Sequence, residues 1–398
     1  MSNETSERRR AAENVRRAIS EACQGLVDRE ALVELVVLCA VAGEHLLVIG
    51  PPGTAKSEAV RRIARRLGGA YFEYLIGRFT EPTEIFGPID LRKLKEGVVE
   101  TETSGMLPEA DIAFLDEVFL GSTAILNTLL GILNERTFRR GRTALACPLR
   151  VCVGASNRLP AEEDQLAAFA DRFLVRVFVE PVRDSALEEL LAAGWSLRPS
   201  PATVGTAAAS LGDLDVLAGA AASMDLSPIR SAIAQGVRLV REAGIAWTDR
   251  RIVRVQGLIA AAAALAGRER PTEADLWPMV FALPSEQAQR AGRDALRELL
   301  SRSENGSLVT AAAEGSLAPE ARGAILAKRG AAIVAARPKA EPSDGGHGPW
   351  RLQLESVARE IDATFTADAM PLELVALRAR IVQLLGAPEP RGEGARAT

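Results

Sequence analysis

Two short segments constrain this chain more than any bulk property. Gly50-Pro51-Pro52-Gly53-Thr54-Ala55-Lys56-Ser57 follows the apolar run His45 to Ile49, and Ile112-Ala113-Phe114-Leu115 runs straight into Asp116-Glu117. A glycine-rich turn between a strand and a helix points successive backbone N–H groups inward and forms a phosphate cradle. Lys56 then reaches the terminal phosphates, and the Ser57 hydroxyl suits Mg²⁺. Asp116 at a strand end offers a metal-side carboxylate, and Glu117 a carboxylate that activates water. The glycine turn alone could open an amphipathic helix with Lys56 merely solvated. Together the two segments imply hydrolysis of a nucleoside triphosphate.

Ala55 stands where the common G-x-x-x-x-G-K-[ST] pattern has its second glycine. Alanine favours helical geometry, so the substitution is expected to fit if Ala55 already lies in the first helical turn.

Around these motifs the pattern alternates. Strands are expected at 46–49, 70–75, 112–116, 150–155 and 174–179, with helices near 56–67, 122–135 and 161–170. Two helices, 7–22 and 29–42, precede them. Such alternation argues for a parallel sheet with helices on both faces and its ligand site at the strand C-termini, where both motifs fall. Residues 77–109, with a strand-like Val98-Val99-Glu100-Thr101, read as an inserted loop and hairpin. Residues 136–148, with Arg139-Arg140-Gly141-Arg142 at the tip, read as a second hairpin.

Composition removes several function classes. A net charge of −4 gives no general argument for nucleic acid, and the arginine clusters sit among acids at helical spacing. With two histidines, His45 and His347, a histidine metal site or triad is not expected. Cys23, Cys39, Cys147 and Cys152 lack metal spacing and read as small core residues of a reducing compartment. No apolar run reaches spanning length, and the polar start Met1-Ser2-Asn3-Glu4-Thr5 does not resemble a secretory signal. A cytoplasmic protein is the expectation.

The motif text resembles that of MoxR-type AAA+ ATPases, and within them the RavA-like branch. The resemblance is carried by the phosphate-loop segment, Phe72-Glu73-Tyr74-Leu75, Glu84-Ile85-Phe86-Gly87-Pro88 and Leu107-Pro108-Glu109-Ala110. It continues through Phe114-Leu115-Asp116-Glu117, Asn134-Glu135-Arg136, Ala155-Ser156-Asn157 and Asp171-Arg172. It is dense over about 20–180, loose over 225–285, and fades beyond 300.

This resemblance implies an AAA+ P-loop NTPase core with an all-α lid and a helical C-terminal extension. It assigns ATP and Mg²⁺ as cofactors. Asn157 takes the sensor-1 position holding the attacking water, and Arg172 the arginine finger that a neighbouring subunit inserts. Arg250, with Arg251 as the alternative, takes sensor 2 at the start of a lid helix. Leu26 and Val27 border the adenine, or else staple the next helix. The implied boundaries are 1–183 for the core, 184–224 for a connector and 225–300 for the lid. A helical extension at 301–336, a linker at 337–349, a helical segment at 350–386 and a disordered tail at 387–398 follow.

The functional expectation is a hexameric ATP-driven chaperone that remodels a protein client with a von Willebrand factor A-domain partner. A nucleic-acid motor or loader and a slow nucleotide-dependent switch are the alternatives.

Overall fold

A computed structural model describes residues 3–140, 143–161, 165–182, 186–196, 207–316, 319–337, 347–365 and 370–386. Two compact units divide the chain, Met1–Ser316 and Leu317–Thr398.

The first unit is built on five parallel strands. They are β1 (Leu46–Ile49), β2 (Tyr71–Leu75), β3 (Ile112–Asp116), β6 (Val151–Ser156) and β7 (Val175–Phe178), in the spatial order β2-β3-β6-β1-β7. A parallel sheet must be covered on both faces, and the strand residues divide accordingly. Leu46 and Val48 enter one core, while Leu47 and Ile49 enter the other.

Helices α1 (Asn3–Cys23), α2 (Glu30–Ala42) and α3 (Lys56–Leu67) serve the first core. Apart from Glu34, α2 is apolar from Ala31 through Val41 and buried all round, as expected of a helix enclosed in a core. In α3, Ala59, Val60, Ile63 and Leu67 face inward while Arg61, Arg62, Arg65 and Arg66 face out. The second core is filled by α6 (Thr123–Glu135), the end of α7 (Gln165–Ala170) and the inserted segments. Gly154 in β6 permits this packing, since a Cβ there would stand 3.0 Å from the Phe173 ring.

The expected hairpin near 77–109 is instead two short helices, α4 (Pro82–Phe86) and α5 (Leu91–Lys95), with one antiparallel bridge, Ile89 to Thr101. Local capping explains the difference. Glu81 and Glu84 form a reciprocal capping box with Pro82 at the first turn, and the Asp90 carboxylate accepts from the amides of Arg92 and Lys93. The second hairpin is present as β4 (Thr137–Arg140) and β5 (Thr143–Ala146), while Gly141 and Arg142 lie outside the described residues.

The lid does not stand apart. Helices α10 (Arg230–Glu242), α11 (Asp249–Leu265), α12 (Pro278–Phe281) and α14 (Val309–Ser316) belong with α2 to the same compact unit, and Leu258, Val280 and Ala311 share its core with Leu35. The segment expected as a connector also departs from the sequence reading. It carries α8 (Leu187–Ser196) and α9 (Leu211–Ala222), whose Leu214 and Leu217 are fully buried. A capping box at Ser210 and Asp213 starts α9 despite the alanine- and glycine-rich composition that suggested a linker.

The second unit is a three-helix cluster of α15 (Pro319–Ala335), α16 (His347–Thr364) and α17 (Leu372–Gly386), with α13 (Glu286–Ala295) preceding it in the first unit. Its core gathers Leu326, Trp350, Leu354, Val357, Ile361, Leu374 and Ile381. The unit boundary therefore falls inside the expected 301–336 extension, and α16 starts within the expected linker. Residues 338–346 of that linker and the expected tail at 387–398 lie outside the described residues.

Candidate functional site

The phosphate loop leaves β1 under tight constraint. The Gly50 amide donates to Ser156 O at 3.1 Å, and a Cβ on Gly50 would lie 2.3 Å from Val179 O, so only glycine fits against the end of β7. Gly53 has φ +79°, and Ala55 has φ +57° and ψ 27°. Ala55 is thus left-handed and precedes α3, which corrects the expectation that it lies in the first helical turn. A left-handed alanine costs about 1–2 kcal/mol. No side chain caps α3, so its first amides have no intrahelical carbonyl to bond to. That is the donor set an anion requires.

Lys56 Nζ donates to Gly50 O at 2.8 Å and Pro51 O at 2.9 Å. Burial lowers its pKa, while Asp116 and Glu117 raise it and Arg29 lowers it further. The Thr54 hydroxyl donates to Pro51 O at 2.9 Å, and Ser57 is half-buried on the first turn of α3.

Asp116 ends β3, and its Oδ1 accepts from the Glu117 amide at 3.0 Å. Glu117 itself is left-handed, with φ +50°, which swings its carboxylate away from the strand axis. Asn157 follows the end of neighbouring β6 and donates from Nδ2 to Glu117 Oε1 at 2.6 Å. The fold therefore brings together Lys56, Ser57, Asp116, Glu117 and Asn157 at the C-terminal edge of the sheet. A cradle of free amides, a cation, a hydroxyl and two carboxylates fit a triphosphate with its divalent metal.

Arg172 and Arg250 lie elsewhere. Arg172 precedes β7, where Val175 N donates to His45 O just before β1 begins. Four residues of β1, about 13 Å at ~3.3 Å each, separate this edge from the phosphate loop. The Arg172 Nε is buried without a hydrogen-bond partner, and its carbonyl accepts from Arg254 Nη2 at 3.1 Å. Arg250 donates to Asn134 Oδ1 at 3.1 Å, beside Leu133, whose carbonyl meets His45. Arg250 thus sits at the same N-terminal edge, not over its own phosphate loop.

Arg251, the alternative for the same role, is a structural bolt. It is 2% exposed and donates to Ala282 O, Leu174 O, Phe173 O and Asp171 Oδ1. Burial lowers its pKa against the pull of Asp171. Asp171 consequently spends its charge on Arg251 rather than on Arg172.

Leu26 and Val27 are each 7% exposed, and Leu26 joins the main core. Arg136 is anchored to Gly43 O at 2.6 Å and Leu133 O at 3.1 Å. All four cysteines are free, burial pushes the Cys152 thiol up to about 12, and no metal-holding His/Cys/Asp/Glu group occurs among the described residues. None of the described helices is long and apolar enough to cross a membrane.

Sequence reasoning missed Arg29, which is 5% exposed and donates from Nε to Thr54 O at 2.6 Å. Its only sequence signal was an arginine at the head of a largely apolar helix.

Comparison with known proteins bears on the family and the fold. A profile of the MoxR domain in MoxR-vWA-beta-propeller ternary systems matches residues 13–218. An uncharacterised protein of Methanocaldococcus jannaschii is 36% identical over 252 residues, covering 63% of this chain and 66% of its own. A second from that organism is 45% identical over 158 residues, 39% of this chain and 41% of its own. The chain therefore spans about two thirds of the first relative and under half of the second. Chaperone MoxR1 of Mycobacterium tuberculosis is 29% identical over 41% of this chain and 43% of its own. A crystal structure from Cytophaga hutchinsonii, by its description a candidate ATPase, superposes with a TM-score of 0.60 at 16% identity, covering 75% of this chain and 97% of its own. That likeness carries the fold alone. With more than half its length matched by the family profile and the phosphate-loop architecture in place, the chain belongs to the MoxR family of AAA+ ATPases.

Proposed function

We propose that this chain hydrolyses ATP with Mg²⁺ and uses the cycle, as a hexameric ring, to remodel a protein client alongside a von Willebrand factor A-domain partner. The observation that carries the proposal is the Asn157–Glu117 hydrogen bond at the ends of adjacent strands, beside the Lys56 loop. Gly50 through Ser57 would hold the phosphates, with Leu26 and Val27 bordering the base. Ser57 and Asp116 would hold the metal, which when bound neutralises charge on the phosphate oxygens. Glu117 accepts the proton of the attacking water, and Asn157 fixes the direction of that carboxylate.

Arg172 supports a shared site, because it lies a strand's length from its own phosphate loop and is not spent on Asp171. A neighbouring copy would receive it. Arg250, at the same edge beside Asn134, would then act at a subunit boundary. The partner is supported by the profile matched, which describes MoxR domains of vWA-containing systems. The RavA-like branch rests on motif resemblance alone.

The test is ATP turnover by the full chain as a function of its concentration, with Lys56→Ala as control. Specific activity that rises with concentration and vanishes in Lys56→Ala supports the reading. Concentration-independent turnover removes the shared site, and turnover that survives Lys56→Ala removes the nucleotide site itself.

A further inference from the structure

Arg29 stands just before α2 without capping it, and its three side-chain acceptors are main-chain carbonyls from three separate segments. Nε donates to Thr54 O at 2.6 Å, Nη2 to Glu180 O at 2.8 Å, and Nη1 to Asp28 O. Thr54 belongs to the phosphate loop, and Glu180 follows β7 where the chain leaves the sheet toward α8. Asp28 is the left-handed residue (φ +55°) that ends the Leu26–Val27 turn. A guanidinium is suited to this because its planar fork presents donors in several fixed directions, whereas an ammonium is a compact point charge. Burial opposes the charge, and Asp28 and Glu30 act against that effect.

The neighbouring geometry gives these bonds a direction. Gly50 is wedged against Val179 O, and Val179 N donates to Ile49 O at 2.8 Å, so the loop and the end of β7 already touch on one side. Arg29 adds a side-chain bridge between the same two segments. Beyond Glu180, α8 exposes Leu187, Leu190 and Leu191. Glu189 of α8 also acts on Glu30 electrostatically, which puts that helix near the head of α2.

We infer that Arg29 is a positioning residue that couples the phosphate loop to the strand exit at Glu180, so that filling the loop orders the Glu180 segment and α8. Arg29 touches no reacting atom in this scheme. It transmits, through two carbonyls, whether the loop is held in place. The inference rests on the nucleotide reading of the Lys56 loop.

Hydrogen exchange on the full chain tests it, with and without a saturating non-hydrolysable ATP analogue and Mg²⁺. Wild type, Arg29→Lys, Arg29→Gln and Lys56→Ala are compared, each checked for a wild-type-like melting profile. In wild type the analogue should slow exchange at the loop and also at Glu180 and α8. Either Arg29 variant should bind the analogue about tenfold more weakly, the scale of one lost charge-assisted hydrogen bond. At saturation it should still protect the loop while losing the response at Glu180 and α8. A folded Arg29→Lys or Arg29→Gln protein whose α8 responds as in wild type overturns the coupling, as does a wild type whose α8 never responds. Lys56→Ala separates the two readings. If it binds the analogue as tightly as wild type, the nucleotide reading itself has failed.

Discussion

The two ends of the same five strands are built on opposite electrostatic plans. At the C-terminal edge, Lys56, Asp116, Glu117 and Asn157 engage one another and the loop backbone, and the group has both signs of charge. At the N-terminal edge, Arg254 of α11 donates to the Arg172 carbonyl and pairs with Glu44, Arg251 pairs with Asp171, and Arg250 bonds to Asn134. The first edge can hold a triphosphate and its metal. The second has surplus cations and no cradle. The difference teaches that the shared site proposed above needs both edges, which one chain keeps a strand's length apart.

The largest expected effect breaks that complementarity outright. Arg172→Ala should lose about 10³–10⁵ in turnover while still binding ATP, if the edge serves a neighbour as an arginine finger does. Mixing it with Lys56→Ala should restore activity above the sum of the two, since some junctions then pair an intact loop with an intact Arg172. Co-assembly without recovery would confine Arg172 to its own subunit.

Next, Glu117→Gln should lower turnover by roughly 10²–10⁴, the value of a lost general base, with ATP retained. A steady-state phosphate-release assay with parallel nucleotide binding decides it, and unchanged release would exclude the carboxylate.

The N-terminal edge is sharpened by comparing neighbours. Arg251→Ala strands three main-chain carbonyls and should cost about 2–4 kcal/mol in denaturant unfolding. Exposed Arg250→Ala should cost under about 0.5 kcal/mol, leaving any loss of turnover attributable to function. Equal destabilisation by both would erase the distinction between bolt and functional cation.

The smallest effect is on pH. The Lys56 pKa is lowered by burial, so its charge is lost at lower pH than that of an ordinary lysine. Nucleotide affinity should therefore fall on the alkaline side, and the fall should begin below the usual lysine range. A binding titration against pH in Lys56→Arg should lack that limb, because guanidinium stays charged.

The strands and α3 were legible because they depend on local pattern: apolar runs such as Leu46 to Ile49 and the 3.6-residue spacing of Ala59, Ile63 and Leu67. Lys56, Asp116 and Glu117 were legible because their spacing is itself the chemistry. Three other features depend on partners far away in sequence. Arg251 became a bolt because Asp171 and the carbonyls of 173, 174 and 282 converge on it, which no window around 251 contains. α9 was obscured by a composition that reads as linker until Leu214 and Leu217 find the core around α1 and α11. Arg29 looked like one more helix-start charge, since its acceptors, Thr54 and Glu180, lie on other segments.

The left-handed Ala55 has a consequence for how the turn keeps its shape. Glycine at such a position would visit left-handed and right-handed shapes about equally. Alanine leans toward the right-handed ones, so the surrounding chain must hold this turn against a preference of about 1–2 kcal/mol. Ala55→Gly is then expected to relieve that strain and, after the added freedom of the unfolded chain is counted, to raise stability by up to about 1 kcal/mol, a gain that an equilibrium urea titration would register.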